Sequence, residues 1–287
     1  PWTSPRSGGC GPIVVLSLPE PTPSSAALVT GASAGIGTEI ARELAARGHG
    51  LVLVARRKDR LVALARELED EHNIQAHALA CDLANASSRA RLPTRIANLA
   101  LDVEILVNNA GFATGGPFHE SPPERELQQV CVLVEAVVAL TSAFVPAMVK
   151  RGRGAILNVA STAGMQPMPY SAGYAAAKAY VLSFSEAIHH ELSGRGITVT
   201  ALCPGPVKTE FWDQAGWQVK GGTSFESALP SPALISPNQA ARAGVKGLAG
   251  GERVVIPGLP MRTAMLAVRY LPNAVKLPVM EWVMRRD

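Results

Sequence analysis

The sequence predicts an α/β fold: a single doubly wound parallel sheet of about seven strands, with helices on both faces. Three observations predict it. Short β-branched runs, apolar throughout, alternate with helical segments from Ala26 to Gly258, as strands do when a sheet is covered on both faces. A glycine-rich turn joins the first run to its helix. No internal repeat or composition shift marks a second domain, although 287 residues would accommodate two.

The elements follow in order. "ALVT" (27–30) is the first strand, and its helix runs through about Arg47. "LVLVA" (51–55) is the second, followed by a charged amphipathic helix from Lys58 to about Glu71. "QAHALAC" (75–81) precedes a third helix, and "EILVNNAG" (104–111) carries a fourth strand. A long helix around 123–151 leads into "GAILNVAS" (154–161). A helix around 172–193, "ITVTALC" (197–203), a helix around 237–249 and "RVVIPG" (253–258) complete the series. Residues 1–23, rich in Pro, Gly and Ser, read as a mobile arm before a domain of residues 24–258. The extension 259–287 mixes Met, Leu and Val with scattered Arg and Lys. It packs on a neighbouring subunit, covers the site or lies on a membrane surface; its residues fit all three.

Composition excludes several classes. The net charge is +4, and no Lys/Arg cluster alternates with aromatics, so a nucleic-acid surface is not expected. Cys10, Cys81, Cys131 and Cys203 show neither CxxC nor Cys/His spacing. They read as reduced thiols of an intracellular, cytoplasmic protein, with no zinc site. No metal site is expected among the six histidines, and His189–His190 read as a solvated or interface face. The apolar stretch Val130–Val149 approaches a membrane span in length but contains Glu135 and Pro146, which favours a buried or subunit-interface helix. The first residues make a poor signal peptide, and the start without Met points to an incomplete or processed terminus.

The turn "TGASAGIG" (30–37) supplies Gly31, Ser33, Ala34, Gly35, Ile36 and Gly37 as candidates for binding a dinucleotide. Its glycines let the backbone approach a pyrophosphate at a helix N-terminus, where free N–H groups and the helix dipole favour anions. An NAD site usually has an acid after the second strand. Here Arg56 and Arg57 follow Ala55, and their forked donors suit a 2′-phosphate. NADP(H) is therefore the preferred cofactor, with NAD(H) left open.

Three of the four tyrosines fall in "YSAGYAAAKAY" (170–180). Alanine-rich sequence favours helix, and residues four apart share a helix face. Only Tyr174 meets Lys178 at that spacing. A nearby cation favours the phenolate and lowers a tyrosine pKa from its reference of roughly 10. Tyr170 precedes the helix at the expected substrate mouth. Tyr180 lies about 120° of helical rotation from Tyr174 and reads as packing.

The motifs "TGASAGIG", "CDL" (81–83), "NNAG" (108–111), Ser161, "YAAAK" (174–178) and "PGPVKT" (204–209) stand in the order and spacing of one family. Over roughly residues 24–258 the chain resembles a short-chain dehydrogenase/reductase with a Rossmann-type fold, on the ketoacyl- and hydroxysteroid-type branch. The resemblance implies that Ser161 holds the substrate oxygen, Tyr174 transfers the proton, and Lys178 tunes Tyr174 and holds the nicotinamide ribose. It implies that Asp82 and Leu83 contact the adenine. Asn109, Ala110 and Gly111 line the adenosine and ribose path, while Asn108 holds the sheet. Pro204, Gly205, Val207 and Thr209 close around the nicotinamide. A fairly apolar carbonyl or alcohol substrate follows from Phe112, Met165, Met168, Phe211, Trp212 and Trp217, which fall at the family's substrate wall and lid. The segment from about Thr209 to Pro237 is the expected lid. A homodimer or homotetramer through the long helix and the Tyr174–Lys178 helix is implied as well.

There is one departure. The family's relay asparagine, in the long helix, aligns with Leu133, and no asparagine occurs between Gly111 and Asn158. The alternative to an enzyme is therefore an NADP(H)-binding sensor or scaffold with reduced or lost turnover.

Overall fold

The computed structural model describes residues 18–211, 218, 219, 223, 224 and 234–284. Seven strands form one parallel sheet: β1 (Ser25–Thr30), β2 (Gly50–Ala55), β3 (Ala76–Ala80), β4 (Asp102–Asn108), β5 (Gly154–Val159), β6 (Ile197–Leu202) and β7 (Val254–Val255). Their order is β3-β2-β1-β4-β5-β6-β7. The helices are α1 (Gly35–Ala45), α2 (Lys58–His72), α3 (Ala86–Ala90), α4 (Leu92–Ala97), α5 (Pro123–Val130), α6 (Ala136–Arg151), α7 (Ala172–Ser193), α8 (Pro237–Ala249), α9 (Leu259–Tyr270) and α10 (Asn273–Met284).

The uniformly apolar strands have a direct cause. Successive side chains point to opposite faces, and both faces are buried. In β1, Ala27 and Val29 join a core with Leu51, Leu53, Ile105 and Leu157, closed by Ile40 and Leu44 of α1 and Val245 of α8. Ala26 and Leu28 enter the opposite core with Val52, Val54, Leu106 and Ile156, closed by Leu140 and Phe144 of α6. Polar positions would have to be satisfied on either side, so the strand tolerates few.

Helix ends follow local chemistry. Ser236 and Gln239 form a reciprocal capping box, with Pro237 opening α8. Gly152 closes α6 in the left-handed region at φ 68°. The helix expected over 123–151 is continuous but contains a π-helical turn, Cys131–Glu135. By length and apolarity it is long enough to cross a membrane, yet it lies on the sheet and buries Ala136, Leu140 and Met148 there.

Three expectations change, and the extension, left open by the sequence, takes a definite form. The third helix is two short ones, because Pro93 restarts the chain as the opening turn of α4. The last strand contracts to two residues paired with Ala201 and Leu202, ending before Pro257 and Gly258 at φ 85°. The extension after Gly258 folds into α9 and α10. Of the presumed arm, residues 1–17 with Cys10 lie outside the described residues, whereas Leu18 is buried in the first core.

Candidate active site

The strand order reverses direction between β1 and β4, and in such sheets a crevice opens beyond the strand ends at that point. Thr30, the last residue of β1, ties the two strands together there. Its Oγ1 donates to the Val107 carbonyl (3.0 Å) and accepts from the Asn109 and Ala110 N–H groups (2.9 and 3.1 Å). Asn109 Nδ2 returns to the Thr30 carbonyl at 2.9 Å. Asn108 braces the sheet interior, donating to Asn158 Oδ1 (2.8 Å) and Thr141 Oγ1 (3.2 Å).

A cavity of about 560 Å³ fills the crevice. It brings together nearly every residue singled out in the sequence: Gly31, Ser33, Ala34, Gly35, Ile36, Arg56, Arg57, Asp82, Leu83, Asn109, Ala110, Gly111, Ser161, Tyr174, Lys178, Pro204, Gly205, Val207 and Thr209. Gly37 is the exception. A Cβ there would lie 2.4 Å from the Gly31 carbonyl oxygen, so this glycine serves the closure of the turn on itself. Gly31, at φ 67°, admits the exit of β4: a Cβ would meet Ala110 Cα at 2.8 Å.

The turn suits a dinucleotide on the chain's own evidence. Ala34, the N-cap of α1, offers no side-chain acceptor to the first helical turn, whose N–H groups point toward an anion position. Beside it, Arg57 donates to Ser33 Oγ from Nε (3.3 Å) and Nη2 (3.2 Å). Arg56 is exposed, so Arg57 is the arginine turned toward the glycine turn. Arg57 and Arg60 also share one carboxylate, that of Glu210, each at 3.0 Å.

At the middle of the cavity, Ser161 stands just beyond β5 and caps a 3-10 turn, Thr162–Met165. That turn presses directly on α7: a Cβ on Gly164 would lie 2.5 Å from the Lys178 carbonyl carbon. The close approach brings Ser161 beside the Tyr174 hydroxyl, where it eases the ionisation of that group. One turn along α7, Lys178 Nζ donates to the Val159 carbonyl at 2.6 Å and lies 5.8 Å from the Tyr174 ring centre.

Electrostatics here depart from expectation. Burial pushes the Tyr174 hydroxyl up to about 12, against the lowering effect of Ser161, and a contribution from nearby Cys203 acts in the same upward direction. The predicted depression by Lys178 is therefore not what this pocket produces. Burial brings Lys178 itself down to about 8, so it keeps most of its positive charge at neutral pH and loses it as pH rises through that value. Cys203 is a buried neutral thiol, raised to about 12 by the same desolvation.

Leu133 does sit at this centre. It is fully buried in the π-helical turn, packed with Tyr174, Ala177 and Ala113. A Cβ on Gly111 would touch Leu133 Cδ2 at 2.7 Å and lie 3.9 Å from Lys178 Nζ.

The remaining wall is apolar. Phe112, Met168 and Phe211 line the cavity as expected, and the Phe211 ring lies 5.6 Å from that of Tyr174. Met165 does not; it packs beneath with Val137, Ala160 and Val181. Trp212, Trp217 and most of the expected lid lie outside the described residues. Tyr170 misses the mouth and lines a small separate hollow with Phe118, at φ 61°. Tyr180 is half exposed, stacked on Phe184. His190 is exposed, but His189 is anchored to the Val199 carbonyl (2.7 Å) rather than solvated.

Several site residues escaped the sequence. Met261, Met265, Met280, Val283 and Met284 of α9 and α10 form one wall. Met261 is seated on Gly205, where a Cβ would come within 2.7 Å of its Cε, and Gln166 Nε2 reaches Met280 Sδ at 3.4 Å. Their only sequence signal is methionine in an amphipathic tail, which also suits a surface helix. Arg60, one helical turn after Arg57, was legible by spacing; Glu210 was not. Among the described residues no His/Cys/Asp/Glu group could hold a metal, and Cys81, Cys131 and Cys203 are free.

Comparison with known proteins agrees with this arrangement. The sequence profile of the short chain dehydrogenase family matches residues 25–219. A putative ketoacyl reductase of Streptomyces coelicolor is 34% identical over 230 residues, covering 76% of this chain and 87% of that protein. The human very-long-chain 3-oxoacyl-CoA reductase is 34% identical over 189 residues, covering 64% and 60% respectively. A short-chain dehydrogenase from Sphingobium yanoikuyae, solved in complex with NADPH, superposes with a TM-score of 0.76 at 35% identity, covering 90% of this chain and 95% of that one. With fold, site and sequence in accord, the chain belongs to the short-chain dehydrogenase family of oxidoreductases, on its ketoacyl reductase branch.

Proposed function

We propose that this protein is an NADP(H)-dependent reductase of apolar carbonyl compounds, or in reverse a dehydrogenase of the matching secondary alcohols. The observation that carries the reading is the convergence of Ser161 and Tyr174, with Lys178 one turn behind, in a cavity with arginines on one wall and methionines on another. NADPH, when bound, supplies the hydride. Arg57, Ser33 and the first turn of α1 would hold its phosphates; the chain's residues do the rest. Ser161 Oγ offers a hydrogen bond to the substrate oxygen. Tyr174, protonated because burial raises its pKa, donates the proton to the alkoxide that develops there. Lys178 holds a donor beside the tyrosine and takes part in restoring its proton. The apolar wall of four methionines and Val283 follows irregular chains, since unbranched thioethers adapt their shape. This supports a flexible, fairly apolar substrate.

The competing reading is a cofactor-binding sensor without turnover, motivated by the buried Leu133 where the relay asparagine is expected. Loss of the reduced-cofactor absorbance with a panel of long-chain ketones and 3-oxoacyl thioesters separates the two. Tight NADPH binding with no turnover on any of them sinks the enzyme reading. A gain of rate in Leu133→Asn would identify the relay as the limiting part.

The tail has a second, outward face. Leu271, Val275, Val279 and Trp282 recur at helical spacing and are exposed, with Lys276 beside them. This supports contact with a lipid surface, in a protein that otherwise works from the cytoplasm. Co-sedimentation with anionic vesicles checks it, and loss of binding in Trp282→Ser with Val279→Ser is expected. A homo-oligomer through α5, α6 and α7 is supported by exposed Leu127, Val130 and Tyr180; sedimentation equilibrium tests it.

A further inference from the structure

The arginine pair beside the glycine turn is engaged by a carboxylate of this same chain. Glu210 Oε2 accepts from Arg57 Nη1 at 3.0 Å, and Glu210 Oε1 from Arg60 Nη1 at 3.0 Å. Arg57 simultaneously holds Ser33 of the turn. The three-way arrangement is that of a phosphate held by two guanidinium groups and a hydroxyl, with a carboxylate in the phosphate's place. Arg57 and Arg60 keep the Glu210 carboxyl below the usual range, so it is ionised throughout the neutral region. Glu210 comes from the far side of the sheet order, about 150 residues away in sequence, so no local helix or turn requires it there. Its neighbours are also committed: Thr209 lies over Gly35, where a Cβ would be 3.1 Å from Thr209 Cγ2, and Phe211 lies on the Tyr174 ring.

We propose that Glu210 is an internal competitor for the cofactor's 2′-phosphate, so that it sets the preference between NADP(H) and NAD(H). This rests on the NADP(H) reading above. A cofactor bearing the phosphate must exchange with Glu210 at Arg57 and Arg60, because two anions cannot share that fork without repulsion. A cofactor lacking it leaves the bridge intact. Glu210 therefore weakens NADPH without weakening NADH, and the arginines are released only by a ligand that replaces its charge. Since Phe211 follows directly, exchange at the arginines is transmitted to the residue packed on Tyr174.

The test measures direct binding of NADPH, NADH, adenosine 2′,5′-bisphosphate and 5′-AMP to the full chain by calorimetry. In Glu210→Gln, NADPH and the bisphosphate are expected to bind about three- to tenfold more tightly, with NADH and 5′-AMP unchanged. Unchanged or weaker NADPH binding in that variant overturns the proposal, because Glu210 would then merely orient the arginines. An equal gain for all four ligands overturns it too, as a general charge effect. Arg57→Ala separates this from the underlying reading. If Arg57→Ala leaves NADPH binding unaltered, the arginine is no phosphate site and both fail. If it weakens NADPH alone while Glu210→Gln does nothing, only the competition fails.

Discussion

The two walls of the cavity are built on opposite plans. On the cofactor wall, position is fixed by backbone: Thr30 and Asn109 lace β1 to β4 through four hydrogen bonds, and Gly31 and Gly37 leave no room for a side chain. On the substrate wall, position is fixed by soft side-chain packing from a tail that touches the sheet's site through Met261 on Gly205 and Met280 on Gln166. The first plan tolerates almost no substitution. The second is open to repacking, since thioethers adapt to a changed neighbour at small cost. Under the proposed function, recognition of a constant group and of a variable one are thereby separated within one pocket.

That contrast can be broken most sharply at its boundary. Tyr174→Phe is expected to lower kcat by about 10²- to 10⁴-fold while NADPH affinity, measured by fluorescence titration, stays within about twofold. A similar loss of NADPH affinity would mean that the tyrosine belongs to the cofactor wall. Gly31→Ala acts on the rigid wall, forcing a side chain into φ 67° and against Ala110 at 2.8 Å. Stability should fall by about 1–3 kcal/mol, read by urea unfolding, with NADPH binding weakened in step. A neutral outcome would show that the turn is softer than its contacts imply. On the soft wall, Met261→Gln with Met280→Gln should cut kcat/KM for a long-chain ketone by about tenfold, leave a short ketone unaffected, and keep the unfolding midpoint.

The pH profile sharpens the same boundary. Lys178, lowered to about 8 by burial, is protonated below that value and neutral above it. Tyr174, raised to about 12, keeps its proton throughout. If the ammonium is needed, reduction rates measured at saturating substrate hold steady below pH 8 and fall as pH rises through it, approaching about tenfold per unit. In Lys178→Arg the fall should disappear from the measurable range, because arginine stays charged. A limb that persists in that variant assigns the titration elsewhere.

The sheet and the cofactor wall were legible because their causes are local and repetitive. A strand buried on both faces must be mostly apolar, with its few polar residues paired as Thr30 and Asn158 are, and a turn that needs positive φ must show glycine at fixed offsets. Ser161, Tyr174 and Lys178 were legible from motif order, and the helix spacing of the last two follows from geometry alone. The direction of the Tyr174 shift was not, because desolvation depends on what surrounds the hydroxyl, and that comes from three different elements. Glu210 and the tail methionines were hidden for another reason. Their partners lie far away in sequence, and a surface helix with methionines on one face has the same pattern as one that closes a pocket.

The tail also has consequences for when the protein becomes competent. Met261, Met265, Met280 and Met284 are synthesised well after the glycine turn and the sheet. Chains fold from the N-terminus as they emerge, so the sheet and nucleotide wall can assemble while the substrate wall does not yet exist. A nascent or C-terminally clipped chain would thus hold the reductant with its apolar side unsealed, exposed to water and to the wrong carbonyls.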